Sequence, residues 1–175
     1  TFVSNSVTGG NAAYVNSLPG PGQGGAIYSR GTLQVAGCVF DFNKALGGKN
    51  GANGANGEGG ALYSIGTATV SQTWFSWNSV RGAIGYSESL AAGYRPSGVG
   101  NGGAIYNFNA NSVALKDCSF SDNTAEGVDG GNPGFMNEVY PPSPGLGGAV
   151  FNAGSLWITN CSLAGNLARG GTMTY

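Results

Sequence analysis

Short runs in which apolar and polar residues alternate recur along this chain, always with the same neighbours. Thr32-Leu33-Gln34-Val35 and Thr67-Ala68-Thr69-Val70 alternate with period two and favour β-branched residues, the pattern of half-buried strands rather than of helices. Each run sits inside a longer repeated unit. GGAIYSRGTLQVAGCVFDFN begins at Gly24, GGALYSIGTATVSQTWFSWN at Gly59, GGAIYNFNANSVALKDCSFSDN at Gly102 and GGAVFNAGSLWITNCSLAGN at Gly147. The tail of a further copy, FVSN, starts at Phe2. Aligned, the copies read G-G-A-[ILV]-[YF], then an alternating stretch, then [CT]-x-[FL]-x-x-N-x-[AV]. Three short strands per unit are expected, GAIY, TLQV and CVFDF in the first copy. Glycines stand at fixed phase, where a corner needs positive φ or close packing.

The unit has constant length. Gly24–Ala45, Gly59–Val80 and Gly147–Ala168 each hold 22 residues, and Gly102–Ala125 holds 24. Variable material falls between units at one phase, in Thr8–Gln23, Leu46–Glu58, Arg81–Asn101 and Glu126–Leu146. A fixed unit with insertions at one phase is the signature of a solenoid whose loops emerge at one corner. The sequence therefore predicts one all-β domain over residues 1–175, a parallel β-helix of about four coils with long loops at one corner. Adjacent coils would lie about 4.8 Å apart, so that like residues stack.

Stacking predicts columns. Phe2, Phe40, Phe75, Phe120 and Leu163 form one apolar column in the core. Tyr28, Tyr63, Tyr106 and Phe151 form a second; period alone leaves open whether these or Ile27, Leu62, Ile105 and Val150 face inward. Asn5, Asn43, Asn78, Asn123 and Asn166 make an amide ladder at a turn, a structural rather than a chemical feature.

The pairing of GGA[ILV] with FxxN resembles the repeat of the chlamydial polymorphic outer membrane proteins and related β-helical repeats of other bacterial and algal surface proteins. GGAI, GGAL, GGAI and GGAV carry the first half at Gly24, Gly59, Gly102 and Gly147. FVSN, FDFN, FSWN and FSDN carry the second at Phe2, Phe40, Phe75 and Phe120, whereas LAGN at Leu163 departs at its first position. The match covers roughly half the chain and none of the insertions. It implies a right-handed β-helix at the cell surface, used for adhesion and exported as an autotransporter passenger. The 175 residues hold no counterpart of that family's C-terminal membrane barrel, so export and anchoring do not carry over.

Composition narrows the chemistry. Only 9% of residues are charged, the formal net charge is -1 and histidine is absent. Nucleophilic Ser–His or Cys–His catalysis is thereby excluded. The seven Lys and Arg residues are scattered, which speaks against a nucleic-acid partner. No apolar run reaches membrane-spanning length. Cys38, Cys118 and Cys161 share one repeat position, with Thr73 in the second copy. Without CxxC or histidine they are not metal ligands. Cys118 and Cys161 stack either as free thiols or as a bridge, and Cys38 is free in both cases.

Many parallel β-helices cleave acidic polysaccharides, which requires clustered carboxylates. The densest acids are Asp122, Glu126, Asp129 and Glu138, in and beside the fourth insertion. No two acids occupy matching positions on adjacent coils, and catalytic residues are assigned to none. A loop calcium site near Asp122, Glu126 and Asp129 is the one cofactor the acids suggest. Threonine columns that would bind ice break off after Thr32, Thr67 and Thr69.

Surface recognition remains. Val39 and Trp74 flank the inward phenylalanines and point outward, and Phe42 and Trp77 stack before the asparagine turn. An aromatic edge of this kind docks sugars or proteins, or lies under an insertion as a satellite core. The insertions carry Tyr14, Tyr86, Tyr94, Phe135, Tyr140 and Pro141-Pro142 among Gly, Asn and Ser, a mixture suited to binding loops. The expected binding residues are Trp74, Trp77, Tyr86, Tyr94, Phe135 and Tyr140, with few charges and hence a neutral glycan or a protein as partner. KNGANGANGEGG (Lys49–Gly60) reads as an extended polyglycine-like tract. Asn160-Cys161-Ser162 is a sequon that could carry a glycan. The expected function is a non-enzymatic, extracellular or cell-surface structural or adhesive module; the alternative is a polysaccharide lyase or hydrolase with a loop-borne site. Uncapped strand edges at the two ends imply further repeats or neighbouring subunits stacked on them.

Overall fold

The computed structural model describes residues 1–14, 17–49, 53–85, 96–108, 112–131 and 141–174. Among these there is no helix, and every strand pairing is parallel. Each main sheet takes one strand from each repeat, in repeat order, so the parallel sheets stack in a solenoid-like arrangement.

Five such sheets run along the stack. The phenylalanine sheet contains Phe2–Val3, Val39–Asp41, Trp74–Ser76, Ser119–Ser121 and Ser162–Ala164. Past the asparagine corner, a second contains Ser6–Thr8, Lys44–Leu46, Ser79–Arg81, Thr124–Glu126 and Leu167–Arg169. The other three are four-stranded. Their second-repeat members are Gly57–Glu58, Leu62–Ser64 and Ala68–Ser71. A full repeat thus has five strands, not the three expected. The strands before GGA and after the asparagine are only two or three residues long, too short to show an alternation.

Both glycines of the GGA motif are explained. Gly24, Gly59, Gly102 and Gly147 have φ between 64° and 70°, the left-handed corner conformation that glycine adopts without strain. The second glycine is a close approach: a Cβ on Gly60 would fall on the carbonyl oxygen of Gly103 in the next repeat. The alanine that follows points into the core, with Ala61 and Ala104 fully buried.

Like residues face like across the tiers. Phe2, Phe40, Phe75 and Phe120 stack with ring centroids 4.6 to 4.8 Å apart and planes within 6°. Leu163 continues the column at the last repeat, where it is half exposed. The question left open by period is resolved by burial. Leu62 and Ile105 lie in the main core with Val70, Val113 and Leu115. The tyrosines point the other way, yet Tyr63 and Tyr106 are also buried, stacked at 5.1 Å with Phe108 tilted over both. Burial first, and Glu58 nearby second, push both phenol groups above their ordinary range.

The asparagine column forms a continuous hydrogen-bonded chain. Nδ2 of Asn5 donates to Oδ1 of Asn43, Asn43 to Asn78, Asn78 to Asn123 and Asn123 to Asn166, at 2.8 to 2.9 Å. Each acceptor oxygen also receives the backbone N–H of the preceding ladder member. Asn43, Asn78 and Asn123 have no exposed surface.

The insertions are not simply loops. All four leave from the post-asparagine sheet and return to the glycine-led sheet, and their outgoing and returning legs hydrogen-bond alternately in a single row. Gly20 donates to Gly10, Gly48 to Gly20, Ala55 to Gly48, Ala83 to Ala55 and Gly98 to Ala83. The Ser143 hydroxyl bridges Gly98 to Val128, and Gly171 closes on Ser143. Glycine is required here because backbones pack against backbones. A Cβ on Gly54 would meet the carbonyl of Ala83, and one on Gly98 that of Ala55. The polyglycine-like tract at Lys49–Gly60 supplies the returning leg at Ala55, and the outgoing leg joins the row at Gly48, just before it.

Candidate functional site

The asparagine corner places the surface side chains most suited to recognition. The residue before each ladder asparagine is left-handed: Ser4, Phe42, Trp77 and Asp122 have φ of 52° to 56°, and Gly165 has 65°. A bulky side chain in this region is strained, whereas glycine, aspartate or asparagine are tolerated there. Phe42 and Trp77 accept that strain while remaining 55% and 54% exposed, with rings stacked at 6.2 Å. Stacking of the repeats does not require them, since serine, aspartate and glycine fill the same position elsewhere.

Immediately beyond the corner, the outer face of the second sheet carries rows of outward side chains. Lys44, Ser79 and Thr124 lie side by side, as do Leu46, Arg81 and Glu126. Between this face and the start of the glycine row lies a groove of about 330 Å³, lined by Thr8, Lys44, Leu46, Lys49, Arg81 and Ile84 among others. It continues past Lys44 and Arg81 into a hollow of about 300 Å³ bordered by Trp77, Ser79, Asp122, Thr124 and Glu126.

The electrostatics are uneven along this face. Arg169 pairs with Glu126 at 3.1 Å, the only salt bridge among the described residues. Lys44, Lys49 and Arg81 are exposed and have no carboxylate partner among those residues. Asp129 lies further on, where it accepts the backbone N–H and the hydroxyl of Thr172; these bonds hold its carboxyl below the usual range, aided weakly by Arg81 and Arg169.

Several residues singled out in the sequence are separated here. Trp74 is 55% exposed but stands on the outer face of the phenylalanine sheet, not among the groove residues. Tyr86, Tyr94, Phe135 and Tyr140 lie outside the described residues. Tyr14 is 78% exposed in the first insertion. Asp122, Glu126 and Asp129 do not gather: Glu126 is tied to Arg169 and Asp129 to Thr172, and no cluster of three metal-ligating side chains occurs among the described residues. Asn160 is exposed at a left-handed corner, its Nδ2 donating to Asp117 at 2.6 Å. All three cysteines are free thiols; burial pushes the Cys118 thiol up, while Cys38 and Cys161 are partly exposed.

The sequence reading missed Lys44, Lys49 and Arg81. The available signal was their phase, one residue, six residues and three residues past a ladder asparagine. Their scatter along the chain hid the fact that stacking gathers them. No helix among the described residues is long and apolar enough to cross a membrane. Comparisons with protein-family models, with curated proteins and with solved structures gave no match to this chain.

Proposed function

We propose that the chain is a right-handed parallel β-helix of about four coils serving as a non-enzymatic module at the cell surface or outside the cell, which binds glycan or protein along its asparagine-corner and insertion side. The observation carrying this reading is the division of labour between repeats and insertions. The repeats are occupied by columns that hold the stack together, and the variable segments all connect the same two sheets. A rigid scaffold with variation confined to one side is how binding surfaces are commonly built. The likeness of GGA[ILV] and FxxN to the polymorphic outer membrane protein repeat supports a surface location and an adhesive role.

The state of the acids also favours binding over catalysis. Of the six described acids, Asp41 accepts from Ser76, Glu58 from Gln23 and Asn56, Asp117 from Asn160, Glu126 from Arg169 and Asp129 from Thr172. Only Asp122 stands apart from such a tie. The deciding experiment incubates the purified chain with a panel of acidic and neutral polysaccharides and follows both retention and product formation. Retention without new reducing ends or unsaturated products is the expected result; turnover of any member overturns the non-enzymatic reading.

A further inference from the structure

Resting on that reading, we propose that the groove beside the asparagine corner is a subsite for an acidic saccharide, a sugar chain bearing carboxylate or sulfate groups. Three features of the groove point to this ligand. Its volume of about 330 Å³ is within the range of small-molecule sites. Its charged lining is cationic: Lys44, Lys49 and Arg81 are three of the chain's seven Lys and Arg residues, and none forms a salt bridge with a described carboxylate, the acids Asp122 and Glu126 standing at the adjoining hollow. Its remaining surface is apolar in small facets, with Leu46 and the exposed Ile84 in the groove and Trp77 at the adjoining hollow.

Those facets decide between anionic ligands. A purely ionic partner has no use for them, whereas a sugar ring presents C–H surface between its charged substituents. The planar fork of Arg81 suits a carboxylate or sulfate in bidentate fashion, and the lysines add point charges beside it. Lys44 and Arg81 come from neighbouring strands but lie diagonally, Lys44 facing Ser79 and Arg81 facing Leu46, so their charges are offset by one tier, about 4.8 Å, along the stack and by two residues, about 7 Å, across it. A polymer with one acid group per sugar, crossing the two tiers obliquely, meets both. Trp77 is strained at φ 52° where the last repeat has glycine, which marks an aromatic kept for surface contact rather than for folding. The expectation of a neutral partner, drawn from the few charges in the insertions, gives way here to a local one: the chain is nearly neutral, but this groove is not.

The test measures binding of the whole chain to oligogalacturonate, to heparin fragments and to uncharged dextran fragments, at low and at high salt. Binding to one or both acidic probes, weakened by salt and absent for dextran, is expected; which probe binds tells carboxylate from sulfate. Lys44→Ser with Arg81→Ser should lower affinity about tenfold, taking each exposed charge contact as worth up to about a factor of five. Trp77→Gly should weaken binding while leaving the fold intact or firmer by circular dichroism. Lys116→Ser, which removes one exposed charge on another sheet, should leave affinity unchanged. Equal binding of dextran, full affinity in the folded double variant, or no binding of either acidic probe overturns the groove assignment. The last result leaves the module reading standing, whereas turnover of a probe removes that reading and not the site.

Discussion

Asn78→Ala tests the asparagine ladder where the structure permits the cost to be worked out. The side chain is fully buried and makes four hydrogen bonds. Its Oδ1 accepts both the backbone N–H and Nδ2 of Asn43, at 3.0 and 2.9 Å. Its Nδ2 donates to Oδ1 of Asn123 and to the carbonyl of Phe40, each at 2.9 Å. Two of the partners keep alternatives: Asn43 Nδ2 still reaches the carbonyl of Phe2, and Asn123 Oδ1 still receives the Asn78 backbone N–H. The Asn43 N–H loses its ladder partner inside the protein, whereas the Phe40 carbonyl lies in a strand paired on both sides and keeps the sheet. At about 1–3 kcal/mol for a stranded buried group, the variant should lose roughly 1–3 kcal/mol. Asn5→Ala provides the contrast, because Asn5 is exposed and its removal strands no buried N–H; it should cost less than about 1 kcal/mol. Urea unfolding followed by far-ultraviolet circular dichroism and by tryptophan fluorescence, with coincident transitions, gives both values. Equal midpoints for Asn78→Ala and Asn5→Ala would refute the claim that the ladder holds the corner.

Three further outcomes follow from other parts of the molecule. Gly98→Ala should destabilise by about 1–3 kcal/mol or more, since its Cβ meets a backbone carbonyl, while Gly31→Ala, in open space, should be neutral in the same denaturation assay. Phe75→Ala, at the centre of the aromatic column, should cost about 3–5 kcal/mol, again read from the unfolding midpoint. The Asp129–Thr172 tie has a definite pH sign. A carboxyl with a lowered folded pKa stabilises the structure above its unfolded value, about 3.9, and loses that contribution as pH falls through the lowered value. Hydrogen-exchange protection of residues 170–174, taken relative to the intrinsic exchange rate at each pH, should therefore fall in acid, and Asp129→Asn should flatten the dependence.

The repeat phase, the phenylalanine column and the asparagine ladder were legible because each is written at one residue per repeat, and stacking converts sequence period directly into contact. Face was harder. In Leu62-Tyr63 and Ile105-Tyr106 both residues are apolar enough to be buried, and both are, on opposite sides of the same strand, whereas Tyr28 in the first copy is exposed. Strand number was misjudged because Gly57–Glu58 and Lys44–Leu46 are too short for any period. The groove was hidden for a different reason: Lys44, Lys49 and Arg81 become neighbours only through the stacking of two repeats and an insertion leg. Cations gathered in this way carry no local pattern.

The alternating glycine row bears on how the protein meets temperature. Unfolding that row exposes mainly peptide groups, with little hydrocarbon beyond Ala55, Ala83 and Val128, and hydrated polar surface lowers the heat capacity of unfolding where apolar surface raises it. A chain with 34 glycines and so much backbone packed on backbone should therefore have a heat-capacity increment per residue below the usual value of about 12–15 cal/mol/K. Its stability curve would be correspondingly broad and flat. Cooling weakens hydrophobic burial but not the peptide–peptide contacts of the row, so this protein should retain its stability in the cold better than a domain held together by its core alone.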